Sequence, residues 1–484
     1  MHIRSRPKSN EWEILQQIKG EGSQTKMTTE TGTDLHQLAQ DVLARALKAG
    51  ATDAETVVYE GDEFSARVRL GQVETLKESG SRAIGLRVFL GQKVASTSSS
   101  DFSGEAITRL VEGAVTLARV TSDDPFAGLP EKDEFGTLEG DLKLYFDDVN
   151  QIPPAERIET ARRAEAAAMA FDTRIQNSGG ADFDTGTSHK ILTNSRGFTG
   201  EYRRSYCGFS VSPIAIDDKG GMQRNYWYSS SRTASKLESP EEIGRIAAER
   251  TLRRLGARRV PTQKAPVVFS PEIARSIIGN IFDAANGDAI YRYATFFADM
   301  LGKQVAGENI TVIDDGTMML DGFGGFGTSP FDGEGLPSRR TVLVQNGVLE
   351  NYVNNTYTAR KLNMKSTGNG SRGLAGNPGI GAGNFYLEPG TLTPEQIIGE
   401  IKNGLYVTET MGFGVNLVTG DYSQGASGLW IENGELAYPV EEITIAGNLK
   451  DMYKNIVAIG NDLVFRSSAA APTLQIEGMT IAGS

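Results

Sequence analysis

Apolar residues recur with a helical period from Asp34 to Ala49, where Leu35, Leu38, Ala39, Val42, Leu43, Ala46 and Leu47 fall on one face and Gly50 is placed to end the helix in a left-handed conformation. The period then switches to two. Thr56 to Tyr59, Phe64 to Leu70 and Ile84 to Leu90 each read as a strand, joined by short turns, and Gly91-Gln92 turns the chain toward Val94. A second amphipathic stretch, Gly104 to Ala118, predicts a helix capped by Ser103. Helix, three or four antiparallel strands and helix, in that order, predict an α+β unit.

Pro125, Pro130 and the acidic stretch Glu131 to Glu134 mark a loop, after which Pro153-Pro154 opens an Ala-rich helix to about Ala170. Strand patterns follow from Ile175 to Tyr228, with Asn194-Ser195-Arg196-Gly197 as one turn. Ser239-Pro240-Glu241-Glu242 starts a helix that Gly256 ends, and Arg258 to Thr262 reads as a hinge because Pro261 blocks helix continuation. From Pro266 the chain is strand-rich. Asn346-Gly347 and Asn433-Gly434 predict tight hairpins, since their turn type needs positive φ at both central residues. Two helices interrupt the strands: Ser270 to Ala285, with Ser270 as expected N-cap, and Thr393 to Gly404. The pattern predicts an α+β protein with a disordered extension over residues 1–26, a two-part N-terminal α+β domain over 27–256 and a β-rich C-terminal domain over 257–484. Met27 is a second candidate start.

Composition narrows the function classes. A formal net charge of -12 disfavours a surface built to neutralise phosphates, so nucleic acid is not an expected partner. No apolar run approaches the roughly 20 residues of a membrane helix. The single cysteine, Cys207, cannot form an internal disulfide, which fits a reducing cytoplasm. The three histidines, His2, His36 and His189, stand apart in sequence and offer neither a usual zinc spacing nor an evident base for a serine triad. Asp184-Thr185-Gly186 lacks the second copy that aspartic proteases need, and Asp182-x-Asp184-x-Gly186 has Thr193 where a calcium loop needs glutamate. The runs Gly322 to Gly327 and Gly379 to Gly383 lack a nucleotide cradle's strand-turn-helix context. Polar candidates cluster in C-terminal loops: Asp332 and Glu334, then Asn369, Ser371 and Arg372, then Asn416, Asp421 and Ser423. They read as a paired-carboxylate acid and base, as a peptide-binding or interface set, or as loop-ordering groups, and Arg360 and Lys361 read as structural. A role at an interface or channel predicts that truncating Asp332 or Arg372 leaves thermal stability nearly unchanged.

Phe331-Asp332-Gly333-Glu334-Gly335, Tyr357-Thr358-Ala359-Arg360-Lys361, Ser366-Thr367-Gly368-Asn369-Gly370 and Ile443 to Leu449 together resemble the C-terminal domain of the TldD/PmbA family. That resemblance implies an α+β protein belonging to a two-subunit cytoplasmic zinc protease, in which one subunit type carries a His-Glu-x-x-x-His helix and the other, PmbA or TldE, does not. Alignment on Gly287-Asp288 places Ile278, Gly279 and Asp283 at the three motif positions, and the family's late cysteine ligand has no counterpart near Arg466-Ser467-Ser468. The resemblance therefore implies the second subunit type, with no cofactor in this chain and zinc only in a TldD-like partner. Extended or unfolded peptides are the implied substrates. A homo-oligomeric peptide-binding protein, in its simplest form a homodimer, is the alternative.

Overall fold

The computed structural model describes residues 34–483. The expected extension over 1–26 and the alternative start at Met27 lie outside them. Helix α1 (Leu35–Lys48) begins at Asp34, whose carboxylate accepts from the N–H groups of His36 and Gln37, and Gly50 follows it at φ +107°. Strand β1 (Asp53–Arg69) and strand β2 (Gln72–Leu90) form a long antiparallel ribbon, and β3 (Lys93–Ser99) extends it on the β2 side. The two strands expected at Thr56 to Tyr59 and Phe64 to Leu70 are thus one. Gly61, between acidic residues, resembles a turn signal, yet it pairs with Ser81 and Ser188 in the ladder. A Cβ there would lie 2.7 Å from the Thr187 carbonyl oxygen, so glycine marks close backbone approach.

Helix α2 (Gly104–Val120), capped by Ser103, and α1 cover this half of the sheet, burying Leu38, Val42, Ile84, Leu86, Val88 and Leu110 together. Beyond the loop, α3 (Pro154–Phe171) leads into β4 (Ile175–Asn194) and β5 (Thr199–Ile216), followed by β6 (Met222–Arg224), β7 (Trp227–Ser231) and α4 (Pro240–Leu252). Since β4 pairs with β1, both parts of the N-terminal region share one seven-stranded sheet in the order β3-β2-β1-β4-β5-β6, with β7 also on β5. Helices α3 and α4 pack on its second half through Ile158 and Ile243 against Phe64, Phe183 and Phe209.

Strand β8 (Gln263–Phe269) lies between Asn403–Met411 and Leu474–Ala482, and pairings through Asp421–Glu432 and Glu435–Asn448 close these five strands into a ring. Helix α5 (Pro271–Ala284) buries Ala274, Ile277, Ile278 and Ile281 in the core beside them. Both hairpin signals behave as their chemistry requires: φ is +48° and +79° at Asn346 and Gly347, and +50° and +83° at Asn433 and Gly434. Two local expectations are corrected. The Ser270 hydroxyl caps nothing, because Ser270 is buried where its own N–H donates to the Val407 carbonyl at 3.0 Å. The helix begun by the Thr393–Gln396 capping box ends at Gly399, because the chain is recruited into the strand at Asn403.

The sheet meets the C-terminal region along a close seam. A Cβ at Gly85 would lie 1.7 Å from the Leu374 carbonyl oxygen, and Val57, Leu192 and Phe198 pack against Phe331.

Candidate functional site

Phe331, anchored in that apolar cluster, leads the chain into a buried turn. The Asp332 carboxylate accepts from the N–H groups of Glu334 at 2.8 Å, Leu336 at 3.0 Å and Gly370 at 2.8 Å, while Glu334 accepts from the Thr356 N–H at 2.7 Å. Glycine permits this convergence, since a Cβ at Gly333 would lie 2.7 Å from the Arg372 backbone nitrogen. Across the seam, Glu55 and Arg87 are register partners on β1 and β2. Arg372 Nη1 lies 2.6 Å from Glu55 Oε1, the same oxygen that Arg87 pairs with. All five charged residues are buried.

Burial raises the Asp332 carboxyl to about 6 and the Glu334 carboxyl to about 7, the latter also through the negative charge of Asp332. The three N–H groups on Asp332 oppose the rise. Burial lowers Arg372 to about 10. These groups are therefore not surface residues, and their burial argues against the expected indifference of thermal stability to their truncation: a loop rich in glycine and charge is here folded inward over Glu55 and Arg87.

Two clefts flank the network. One, of about 480 Å³, includes Arg87, Phe89, Glu334, Asn355 and Tyr357 in its walls. The other, of about 380 Å³, is lined by polar groups including Lys190, Arg204, Asp332, Asn369, Ser371 and Arg372. Asn369 donates to Asp314 at 2.6 Å and to the Gly381 carbonyl at 2.9 Å. The structure thus gathers Asp332, Glu334, Asn369 and Arg372, but not Asn416, Asp421 and Ser423. Those three line neither cleft. They order an exposed loop, where Asn416 accepts from the Val418 N–H, Asp421 accepts from the Thr419 hydroxyl at 2.6 Å, and the Ser423 N–H donates to the Gly414 carbonyl. Arg360 donates to the Leu129 carbonyl at 2.7 Å and Lys361 lies 4.2 Å over the Phe126 ring, pinning their helix to the loop before α3.

Zinc does not fit the three helix positions. Ile278 is fully buried among apolar side chains, Gly279 offers no side chain, and Asp283 has, among the described residues, no second side chain arranged with it to hold a metal. Among the described residues no group of three or more His, Cys, Asp or Glu side chains is arranged to hold a metal ion. Sequence separation did hide one cluster. His36 and His189 both reach Glu201 Oε2, at 3.1 and 2.6 Å. The glycine run 322–327 is structural: Arg232 donates to the carbonyls of Gly324, Gly325 and Phe326.

Family models described as PmbA/TldA metallopeptidase domain 1, central domain and C-terminal domain match residues 54–118, 147–255 and 262–483. The chain is 39% identical over 441 residues to "Metalloprotease PmbA" of Escherichia coli O157:H7, covering 91% of this chain and 94% of that protein. A crystal structure of a putative modulator of DNA gyrase from Bacteroides thetaiotaomicron superposes with a TM-score of 0.86 at 27% identity, covering 93% of this chain and all of that one. TldE from Thermococcus kodakarensis shares the fold, with a TM-score of 0.81 at 21% identity over 92% of this chain and 100% of that one.

Proposed function

The chain belongs to the PmbA/TldD metallopeptidase family, and we propose that within it this chain is a subunit that holds no zinc and helps enclose peptide substrate against a zinc-bearing member of the same family. The observation that carries this reading is the placement of Ile278. Zinc is held by deprotonated nitrogen, sulfur or oxygen donors, and a catalytic site needs three from the protein. At the first motif position this chain instead spends its side chain on the hydrophobic core, and at the second it has none. Bound in a partner, zinc would polarise a peptide carbonyl and activate water. This chain's contribution is then a wall that admits extended chains and excludes folded ones. A cytoplasmic setting suits a chain whose one thiol is buried and unpaired, and no helix among the described residues is long and apolar enough to cross a membrane.

Elemental analysis and reconstitution test the reading. The purified chain is expected to carry no stoichiometric zinc and to leave casein intact, and to support chelator-sensitive proteolysis when mixed with a zinc-bearing relative. One zinc per chain with turnover by the chain alone overturns it, as does a relative whose activity and sedimentation are unchanged by this chain.

A further inference from the structure

The polar cleft of about 380 Å³ has a charge arrangement that its own walls leave unbalanced. Lys190 on β4 pairs in register with Tyr202 on β5, and Arg204 stands two residues further along β5 on the same face. Such diagonal neighbours are about 7–8 Å apart at the backbone, within reach of long side chains. The Lys190 ammonium makes no hydrogen bond among the described residues. Arg204 is held by stacking 4.7 Å over the Tyr202 ring and by one hydrogen bond to the Thr328 carbonyl at 3.0 Å, which leaves its buried Nε without an acceptor. Arg372, whose side chain is fully buried at the cleft's edge, also has an unpartnered Nε.

Two carboxylates share the walls, and although the Asp332 carboxyl feels the Lys190 charge across the cleft, the hydrogen bonds of both go to other donors. Asp332 accepts from three backbone N–H groups, and Asp314 accepts from the Gly383 N–H at 2.7 Å and from Asn369. Like charges on neighbouring strands are thus left facing one solvent-accessible hollow, in a chain whose formal net charge is -12. A ligand oxyanion set between the two side chains relieves that repulsion and supplies acceptors to the free donors.

We propose that this cleft is a binding site for an oxyanion, carboxylate or phosphate, carried by a small polar ligand, with Lys190 and Arg204 as its fork. The inference goes beyond the subunit reading and does not rest on it, because it concerns this chain alone and needs no metal.

Titration calorimetry of the full chain with triglycine, triglycine amide and inorganic phosphate at constant ionic strength tests it. Triglycine or phosphate is expected to bind saturably with one site per chain, and triglycine amide more than tenfold more weakly than triglycine. Binding by triglycine alone identifies the source as a carboxylate, and binding by phosphate alone identifies a phosphoryl group. Binding by both supports an oxyanion site open to either. Lys190→Gln, which breaks no hydrogen bond of the fold, is expected to weaken the binding at least threefold. Adding Arg204→Gln should weaken it at least tenfold, Arg204→Lys should restore part of it, and Lys303→Gln at a distant exposed position should leave it unchanged. Silence of both anions, equal binding of triglycine and its amide without phosphate binding, or unchanged affinity in Lys190→Gln overturns the proposal.

Discussion

Arg372 in a C-terminal loop and Glu55 on the first strand of the N-terminal sheet, 317 residues apart in sequence, form an ion pair of 2.6 Å with both side chains fully shielded from solvent. Glu55 also pairs with Arg87, so one carboxylate serves two guanidinium groups at the seam between the sheet and the C-terminal region. Desolvating these charges is costly, and their mutual attraction together with the Glu334 carboxyl opposes that cost.

Removing Arg372 leaves Glu55 with Arg87 alone, and removing Glu55 leaves two buried guanidinium groups without their shared carboxylate. Arg372→Ala is expected to destabilise the chain by about 3–5 kcal/mol, the usual consequence of breaking a buried pair. Glu55→Ala should be at least as damaging, since two guanidinium groups lose their shared partner. Thermal midpoints and urea titrations of both variants read this out. A midpoint within a degree of the parent protein in Arg372→Ala would mean that the pair contributes nothing.

The pH dependence of stability should carry the signature of Glu334. Burial holds its carboxyl at about 7, above the 4.5 of a free glutamate, so between those values the folded chain binds more protons than the unfolded one. Its contribution is therefore fully present below about pH 4.5 and is lost as pH rises through about 7, and the Asp332 carboxyl, also raised by burial and titrating together with Glu334, contributes in the same direction. Glu334→Gln keeps an oxygen to accept the Thr356 N–H while removing the ionisation. Its stability should fall less than the parent's between pH 5 and 8, as measured by urea midpoints across that range, and parallel profiles would remove Glu334 as a titrating group.

The elements legible in the sequence are those whose signal is local. The apolar face of α1, the Ser103 and Ser239 caps and the two Asn-Gly hairpins each follow from residues a few positions apart. Gly61 was illegible because its cause is Thr187, which reaches it only after β1 and β4 pair. The burial of Asp332, Glu334 and Arg372 was illegible for the same reason. Their partners sit on β1 and β2, and the one available signal was Glu55 and Arg87, opposite charges standing within strands that are otherwise apolar there. His36, His189 and Glu201 likewise converge only when α1 lies over β4 and β5. The position of Ile278 on the buried face of α5, in contrast, follows from helical periodicity alone.

The seam itself should be intolerant of added volume at Gly85. A Cβ at that position would lie 1.7 Å from the Leu374 carbonyl oxygen, and backbone on both sides leaves no flexible side chain to yield. Gly85→Ala is expected to cost about 1–3 kcal/mol through backbone displacement. Because the displaced loop carries Arg372, the variant should also expose the seam to proteolysis before the rest of the chain unfolds. Gly91→Ala, where no atom lies within 4 Å of the added Cβ, provides the contrast: its cost comes from φ +62° alone, and it should leave the protease pattern unchanged. Limited proteolysis with fragment mass analysis distinguishes the two.

Rebuilding the metal-binding triplet should fail for a reason that lies in packing. Ile278→His, Gly279→Glu and Asp283→His together restore the motif letters on α5, yet Ile278 is fully buried in the apolar core beside Ile277 and Ile281. An imidazole there has no polar partner, and burying one unpaired costs about 1–3 kcal/mol before any metal is bound. Turning the ring toward the exposed face instead leaves the core short of an isoleucine. Arg466-Ser467-Ser468 adds no thiol, and Ser467 is already engaged by Arg275 at 3.0 Å. A metal site without its full ligand set and supporting hydrogen bonds binds weakly. The triple variant is therefore expected to melt below the parent protein, to retain less than one zinc per chain after dialysis, and to show no chelator-sensitive peptide hydrolysis. Stoichiometric zinc with a raised melting temperature would mean that α5 can rotate its motif face out of the core, and the packing argument for a zinc-free subunit would fall with it.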